Sequence, residues 1–154
     1  ALRRSIGRMG IDGQSDATIR HVLQTTRRIA LVGASAKSWR PSNGVMRFLL
    51  DNGYDVTPVN PGLAGQAIHG CTVVARLDDA GPLDMVDVFR NAAFAGDVAD
   101  AAVRLGARTV WMQLGVIDHA AAERARAAGL TVVMDRCPVI EQRRLHLPTP
   151  LTRH

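Results

Sequence analysis

The sequence Arg28-Ile29-Ala30-Leu31-Val32-Gly33-Ala34-Ser35 determines how the rest of the chain is organised. Residues 29–32 form a continuous apolar run, which is typical of a strand buried on both faces of a parallel sheet. The small residues 33–35 leave the backbone of the following turn open to a ligand. A helix is then predicted, with Pro41 fixing φ at its start and Ser42 as its cap. Its N–H groups and positive dipole end favour an anion, so we expect a phosphate-bearing ligand at the start of a Rossmann-like domain.

The composition is that of a single globular domain. The chain has 154 residues, of which 47% are hydrophobic and 21% charged, and it is long enough to bury a core. No apolar stretch approaches the ~20 residues needed to span a bilayer. The basic N-terminus lacks the apolar region of a secretion signal. We therefore expect a soluble, cytoplasmic protein that does not interact with membranes.

The net charge of +5 comes from the two ends of the chain. Residues 1–28 carry +4 and residues 135–154 carry +2, whereas residues 29–134 carry −1. A basic surface for nucleic acid is therefore not expected in the body of the domain. Aromatic residues make up only 4% of the chain, so platforms for stacking bases are not expected either.

The cysteines and histidines show no pattern of a metal site. Cys71 and Cys137 are far apart in sequence and form no C-x-x-C pair. The five histidines show no i,i+4 pair and no cluster with cysteine. We therefore predict no zinc site and no structural disulfide.

Several predicted helices end in glycine and are followed at once by a β-branched run. This occurs at Gly53, Gly106 and Gly129, where glycine can adopt the left-handed conformation that closes a helix. Helices alternating with short buried strands are typical of βαβ units. We therefore predict an α/β fold, a Rossmann-like doubly wound, mostly parallel sheet of about five strands flanked by helices in a single domain. The predicted segments are an N-terminal arm and helix (1–27), the domain (28–145) and a C-terminal tail (146–154).

Local expectations accompany this fold. The glycine-rich residues 1–14 predict a loose arm, and Asp16 is the predicted cap of the next helix. Pro58 indicates a strand end or a bulge, and residues 72–74 predict a short strand at the sheet edge. The helix after residue 91 is expected to place one face against the sheet, formed by Phe94, Val98, Ala102 and Leu105.

Ligands of open parallel sheets bind beyond the carboxyl ends of the strands. Small or polar residues follow all the predicted strands of the sheet, and a dinucleotide site would place G-x-G-x-x-G after the first of them, with an acidic residue about 20 positions later. Here only Gly33 is present, and Asn60 stands where the acid would bind the ribose hydroxyls. Because a carboxylate there would repel a ribose phosphate, its absence favours coenzyme A or NADP. The residues alone do not separate these two ligands.

Six segments, in order and spacing from about residue 28 to residue 145, resemble the family of small stand-alone CoA-binding proteins. This family is similar to the N-terminal CoA-binding domain of the succinyl-CoA synthetase alpha subunit and of ADP-forming acyl-CoA synthetases. The segments are Ile29-Ala-Leu-Val-Gly-Ala-Ser35, Arg40-Pro-Ser42, Pro58-Val-Asn-Pro61, Val86-Asp-Val-Phe-Arg90, Trp111-Met-Gln-Leu-Gly115 and Val133-Met-Asp-Arg-Cys137.

The resemblance implies that coenzyme A lies across the strand ends. In one departure, family members often have Lys directly after the proline of the second-strand motif, where this chain has Gly62. We expect Lys37 or Arg40 to supply the missing charge near the ribose phosphate. The implied contacts are Gly33, Ala34, Ser35, Arg40, Pro41 and Ser42 for the pyrophosphate, Val59, Asn60 and Pro61 for the adenosine, and Phe89, Arg90, Gln113 and Gly115 for the pantetheine.

The resemblance favours a non-catalytic protein that binds coenzyme A or an acyl-CoA as a carrier or regulator, with a partner enzyme or as a homo-oligomer. The related synthetases need a phosphorylated histidine domain and a second subunit, so ligase activity of this chain alone is not expected. Gln113 could donate a hydrogen bond to a ligand carbonyl. For Arg90, a surface salt bridge with Asp87 or Asp84 is the competing hypothesis.

Two alternative functions remain open from the sequence. In the first, Cys137 acts in thiol–disulfide or acyl transfer with CoA. Arg136 beside it would favour the thiolate, and a mixed disulfide with CoA is the expected chemistry. In the second, the chain is an NADP-binding oxidoreductase, although no proton donor is recognisable near the strand ends.

Overall fold

The computed structural model describes residues 10–148 of the chain. The predicted arm at residues 1–9 and the end of the predicted tail, residues 149–154, lie outside the described residues. The helices are α1 (Asp16–Thr25), α2 (Pro41–Asp51), α3 (Ala92–Arg104), α4 (His119–Ala127) and α5 (Pro138–Arg144). The strands are β1 (Arg28–Val32), β2 (Asp55–Val59), β3 (Ala67–Ile68), β4 (Cys71–Thr72), β5 (Met85–Val88), β6 (Thr109–Met112) and β7 (Thr131–Val133).

Five strands form one parallel sheet in the order β2-β1-β5-β6-β7, which confirms the predicted fold. The chain leaves β1 toward β2 at one edge and then crosses back to β5 on the other side of β1. The strand order therefore reverses between β1 and β5. Beyond the carboxyl ends of these two strands lies the crevice where open α/β sheets bind their ligands.

The sheet divides the core into two layers. On one face, the layer around Val86 and Val110 is covered by α3 and α4. On the other face, the layer around Leu31 and Trp111 is covered by α1, α2 and α5. The central strands are buried on both faces, which explains why their sequences are mostly apolar, with Asp87 and Thr109 as buried polar exceptions.

The expected face of α3 is confirmed at Ala102 and wrong at Phe94. Its buried residues are Ala95, Ala99 and Ala102, whereas Phe94 is 46% exposed. Of the other residues expected there, Val98 and Leu105 are partly buried against the core. Alanine permits the close approach of α3 to α4 and to the sheet, and the larger side chains lie beside this contact. The cap of α1 also differs from expectation, because Ser15 and not Asp16 accepts the hydrogen bond from the N–H of Thr18.

Pro58 lies within β2 and causes no bulge. It sits opposite Leu31 of β1 in an unbroken register. A proline is tolerated here because β2 is the outer strand of the sheet, where a missing N–H breaks no ladder. Residues 72–74 lie at this edge as expected, but Thr72 belongs to a small hairpin of β3 and β4, and Val74 makes a single bridge to Val59.

Residues 10–14 are not the loose segment that their glycines predict. The Asp12 carboxylate is buried and accepts hydrogen bonds from the N–H of Met134 and from the guanidinium of Arg136. The Gln14 side chain donates to the carbonyl of Val132. The segment is therefore attached to β7 and to the loop that follows it.

Candidate functional site

A cavity of about 700 Å³ lies beyond the carboxyl ends of β1 and β5, at the point where the strand order reverses. We call it the main cavity. Its walls come from the loop after β1, the start of α2, the loop after β2, the loop after β6 and the start of α5. The lining residues are Gly33, Ala34, Ser35, Ala36, Lys37, Arg40, Pro41, Ser42, Val45, Asn60, Gly62, Leu63, Phe89, Gln113, Leu114, Val116 and Cys137.

Gly33 is required where β1 ends. Its φ is +92°, and a Cβ at this position would lie 3.1 Å from the backbone carbonyl of Phe89. The N–H groups of Gly33 and Ala34 both donate to the carbonyl of Val59. The loop after β1 therefore passes close to the end of β5 while it stays attached to β2.

Two asparagine side chains fix the next residues of this loop. Asn60 donates from Nδ2 to the carbonyl of Ala34 over 2.8 Å and accepts from the N–H of Gly62. Asn43 of α2 donates to the carbonyl of Ser35 over 2.9 Å. Asn43 in turn accepts from Nε2 of His69. The loop is thus held in shape before any ligand enters, which lowers the ordering cost of binding.

The N-terminus of α2 faces the main cavity without a side-chain cap. The helix begins at Pro41 with Arg40 as its N-cap, and no side chain makes the capping hydrogen bond. Ser42, the expected cap, lies within the first turn and is buried. Lys37 and Arg40 are the charged lining residues, and no acidic residue lines the cavity among the described residues. The helix dipole and both side chains therefore favour an anion here.

A buried carboxyl group lies behind Gln113, which lines the main cavity. Nε2 of Gln113 donates to Oδ1 of Asp87 over 2.9 Å. Burial raises the pKa of Asp87 to about 7, although the hydrogen bond from Gln113 opposes this. The side-chain NH₂ group of Gln113, which was expected to donate to a ligand carbonyl, therefore donates to Asp87 instead.

Cys137 lines the main cavity as the N-cap of α5. The neighbouring Arg136 was expected to favour its thiolate, but the guanidinium is engaged elsewhere. The Arg136 guanidinium pairs with Asp12 over 2.9 Å and with Glu141 over 2.6 Å. Burial raises the pKa of the Cys137 thiol, and the carboxylates of Asp87 and Glu141 raise it further. The expectation of a stabilised thiolate is therefore wrong.

A second cavity of about 320 Å³ adjoins the first and shares Gly33 and Asn60 with it. The Arg90 guanidinium lies in its wall and stacks 4.2 Å from the ring centre of Phe94. The salt bridge of Arg90 with Asp84 or Asp87, the competing hypothesis for this residue, is not formed within residues 10–148, where Asp84 bonds to Arg108 and Asp87 is buried. Its lining includes Val59, Asn60, Pro61, Arg76, Asp78, Arg90 and Asp97.

Most of the predicted contact residues are brought together, but they divide between two cavities. Val59, Pro61 and Arg90 line only the second cavity. Gly115 lines neither, and its N–H donates to Asp135. The main cavity holds all the others, namely Gly33, Ala34, Ser35, Lys37, Arg40, Pro41, Ser42, Asn60, Phe89, Gln113 and Cys137.

Three residues that shape these cavities were not predicted from the sequence. Asn43 and Asp87 do not line the main cavity but form hydrogen bonds with Ser35 and Gln113, which do. Arg76 lines the second cavity from a loop whose sequence has no hydrophobic periodicity. The polar Asp87 within an apolar strand was the one available signal. Within residues 10–148, no cluster of His, Cys, Asp or Glu could hold a metal ion, and no helix there is long and apolar enough to cross a membrane.

Comparison with known proteins identifies relatives of similar size. A family model described as a CoA binding domain matches residues 27–143. The chain is 36% identical to the uncharacterized protein YneT of Bacillus subtilis (strain 168), over 80% of this chain and 90% of that protein. A hypothetical protein from Pyrococcus horikoshii OT3 has a similar structure, with a TM-score of 0.83 and 37% identity over 89% of this chain and 96% of that one.

A larger enzyme contains the same fold. The dinucleotide-forming acetyl-coenzyme A synthetase 1 of Ca. Korarchaeum cryptofilum aligns with a TM-score of 0.64 and 18% identity. The alignment covers 76% of this chain and 28% of the synthetase. Because the family model spans most of the chain and YneT is 36% identical over most of both chains, the chain belongs to the CoA-binding domain family.

Proposed function

We propose that the chain binds coenzyme A or an acyl-CoA in the cytoplasm, as a non-catalytic carrier or regulatory protein. The observation that carries this proposal is the polarity of the main cavity. An uncapped helix N-terminus, a glycine turn and two cationic side chains face a space whose described lining has no acidic residue. Such a surface suits a diphosphate.

The two adjoining cavities suit a ligand with two arms joined by a diphosphate. Gly33 and Asn60 belong to both cavities, so a diphosphate at the loop after β1 has access to each. The pantetheine arm would extend past Phe89 toward Gln113 and Cys137. The adenosine arm would pass over Asn60 into the second cavity.

The second cavity offers cationic groups for a ribose phosphate, even though Gly62 supplies none. Asp78 makes a two-fold hydrogen-bonded pair with Arg104, at 2.9 and 3.1 Å, whereas Arg76 is 3.8 Å from the same carboxylate. Arg76 is therefore loosely paired, and Arg90 contacts a ring instead of a carboxylate. Both could turn to the 3′-phosphate of coenzyme A.

Calorimetric titration with coenzyme A, 3′-dephospho-CoA and NADP tests the proposal. We expect binding of coenzyme A, weaker binding of 3′-dephospho-CoA, and no binding of NADP. In Arg76→Gln the difference between the first two ligands should shrink, whereas Arg108→Gln, which lines neither cavity, should leave it unchanged. Heat with NADP and none with coenzyme A would refute the proposal and favour a reductase.

Thiol exchange at Cys137 is a second candidate, because its side chain lines the main cavity. The Cys137 thiolate would attack one sulfur of CoA disulfide, forming a mixed disulfide and releasing CoA thiolate. The raised pKa of Cys137 predicts that this reaction is slow at neutral pH and faster in alkaline solution. Mass spectrometry after incubation with CoA disulfide tests it, and an unmodified Cys137 at every pH would exclude it.

A further inference from the structure

Asp87 is a buried acidic residue in the otherwise apolar central strand β5. It lies in register with Leu31 of β1 and Trp111 of β6, and it is fully buried. Its Oδ1 accepts the hydrogen bond from Gln113, while its Oδ2 is buried and has no partner in the part of the chain that the structure describes. Buried polar atoms without partners are rare in folded proteins. The carboxyl group therefore calls for a role beyond packing.

We infer that Asp87 is a positioning residue that sets the hydrogen-bonding character of Gln113 and thereby the preference of the main cavity between free coenzyme A and acyl-CoA. This inference rests on the proposed function. Asp87 itself does not line the main cavity. We therefore propose that it acts through its hydrogen bond with Gln113, which does. The ligand arm concerned is the pantetheine, which carries amide N–H groups and ends in a thiol.

When Asp87 is ionised, only one orientation of the Gln113 amide is favourable. The amide oxygen would meet a carboxylate oxygen, so the NH₂ group faces Asp87 as observed. The amide oxygen of Gln113 then remains for the cavity. It can accept from an amide N–H or from the thiol of free coenzyme A. An acyl thioester has a carbonyl in place of the S–H donor and is poorly matched to this oxygen.

When Asp87 is protonated, the opposite orientation becomes available. Because no partner accepts a proton from Oδ2, the proton is better placed on Oδ1. A proton on Oδ1 can be donated to the amide oxygen of Gln113 once the side-chain amide has rotated by half a turn. The NH₂ group then faces the cavity and can donate to an acyl carbonyl. Acyl-CoA is therefore disfavoured in alkaline solution and better accepted in acid.

The surroundings of Asp87 contain few other ionisable groups. Its neighbours in the sheet, Leu31 and Trp111, are uncharged. From α5 and the loop before it come Cys137, Glu141 and Arg136, of which the last two pair with each other. The remaining ionisable side chains of α1, α2, the hairpin, α5 and the loop before α5 are partnered or exposed, and they are Asp16, Arg20, His21, Arg47, Asp51, His69, Cys71, Asp135, Arg143 and Arg144.

Nuclear magnetic resonance of the Gln113 side-chain amide tests the coupling without a ligand. The signals, assigned by their loss in Gln113→Leu, should move between pH 5.5 and 8.5 with a single midpoint near neutrality. In Asp87→Asn they should not move. Amide signals that stay constant in the wild-type protein over this range would overturn the inference, and that measurement needs no variant of Asp87.

Titrations with coenzyme A and acetyl-CoA at both ends of the same pH range test the preference. We expect coenzyme A to bind on the order of tenfold more tightly than acetyl-CoA at pH 8.5, and about equally at pH 5.5. In Asp87→Asn the ratio should be constant, while Asp55→Asn, at the exposed start of β2, should behave as wild type. The phosphate groups titrate alike in both ligands, so their effect cancels in the ratio.

The two proposals fail in different ways. If coenzyme A binds and the ratio in the wild-type protein does not change with pH, this inference is overturned and the proposed function stands. If neither ligand binds at any pH, both are overturned. Circular dichroism of Asp87→Asn verifies folding before its ratio is interpreted.

Discussion

The buried carboxyl of Asp87 makes stability depend on pH in an unusual direction. Burial raises its pKa from 3.8 to about 7, so the folded state holds a proton that the unfolded state has lost between these values. The contribution of Asp87 to the free energy of unfolding is therefore largest below about pH 4 and is lost as the pH rises to about 7. The carboxyl groups of Asp78 and Asp84 act in the opposite direction, because hydrogen bonds from arginines lower their pKa values.

We expect the wild-type protein, relative to Asp87→Asn, to lose roughly 3 kcal/mol of unfolding free energy between pH 4 and pH 7. The asparagine keeps the shape of the side chain and cannot ionise. Urea unfolding across this range measures the difference, and Asp79→Asn, an exposed position, is the control. A difference between wild type and Asp87→Asn that is independent of pH would contradict the explanation.

Gly33 is the residue whose replacement should most directly disturb the site. In Gly33→Ala the new methyl group meets the backbone of Phe89 and φ must stay positive, so we expect a loss of roughly 1–3 kcal/mol of stability. Coenzyme A binding should weaken as the loop shifts. The matched control is Gly44→Ala in α2, where a Cβ meets open space and helix propensity predicts a gain of up to about 1 kcal/mol. Unfolding and calorimetry measure both effects.

At the scale of the element, the start of α2 shows what sequence can and cannot predict. Pro41 located the first turn correctly, because its ring fixes φ and its missing N–H is unneeded there. Ser42 was wrongly taken as the cap, since the same proline forces the non-helical position back to Arg40. The consequence is functional, because a helix capped by its own serine would present fewer groups to an anion.

Arg40→Gln should weaken coenzyme A binding by about ten- to a hundredfold. It removes one charge-assisted contact, typically worth about 1.5–3 kcal/mol, without altering the start of the helix. Arg47→Gln, on an exposed face of the same helix where Arg47 pairs with Asp51, should leave the affinity unchanged. If calorimetry shows that both variants lower the affinity for coenzyme A equally, the net positive charge of the protein, and not the position of Arg40, attracts the ligand.

The helix α3 illustrates a second limit of sequence reasoning. Phe94 and Val98 stand out as hydrophobic, and their spacing suggests a buried face. Alanine is ambiguous in such a pattern, because it is apolar but also common on exposed helices. The buried positions Ala95, Ala99 and Ala102 become recognisable only when the neighbouring helix is in place. The type of element and its place in the order were predictable, whereas its rotation about its own axis was predicted only approximately, with Ala102 correct and Phe94 wrong.

At the scale of the whole molecule, contacts between distant segments were the least accessible to prediction. Asp12 and Arg136 are 124 positions apart, and no pattern links them. The parallel arrangement of the strands and the clustering of the loops at their carboxyl ends followed from local alternation, since parallel sheets bring these loops together. The order of the strands, and the division of the site into two cavities that share Gly33 and Asn60, had no local signal in the sequence.

We expect Asp12→Asn to destabilise the protein by about 3 kcal/mol or more. Both carboxylate oxygens of Asp12 accept hydrogen bonds, so the new NH₂ group faces N–H donors in a buried site, while Arg136 keeps only its pair with Glu141 among the two carboxylates described above. Asp100→Asn breaks an exposed pair with Arg124 and should have a much smaller effect. Denaturant unfolding at neutral pH measures both, and equal losses would show that the Asp12 contact is energetically ordinary.

The sheet separates an alanine-packed side, under α3 and α4, from the side that carries Ala34, Val45 and Cys137 and so borders the main cavity. Changes on opposite sides share no partners, so their effects on unfolding free energy should add. A protein engineer could therefore raise the melting temperature by repacking Ala99 and Ala102, which line neither cavity, while leaving ligand preference intact. Evolution has the same freedom there, but not at Val98 and Ala101 of the same helix, which line the second cavity.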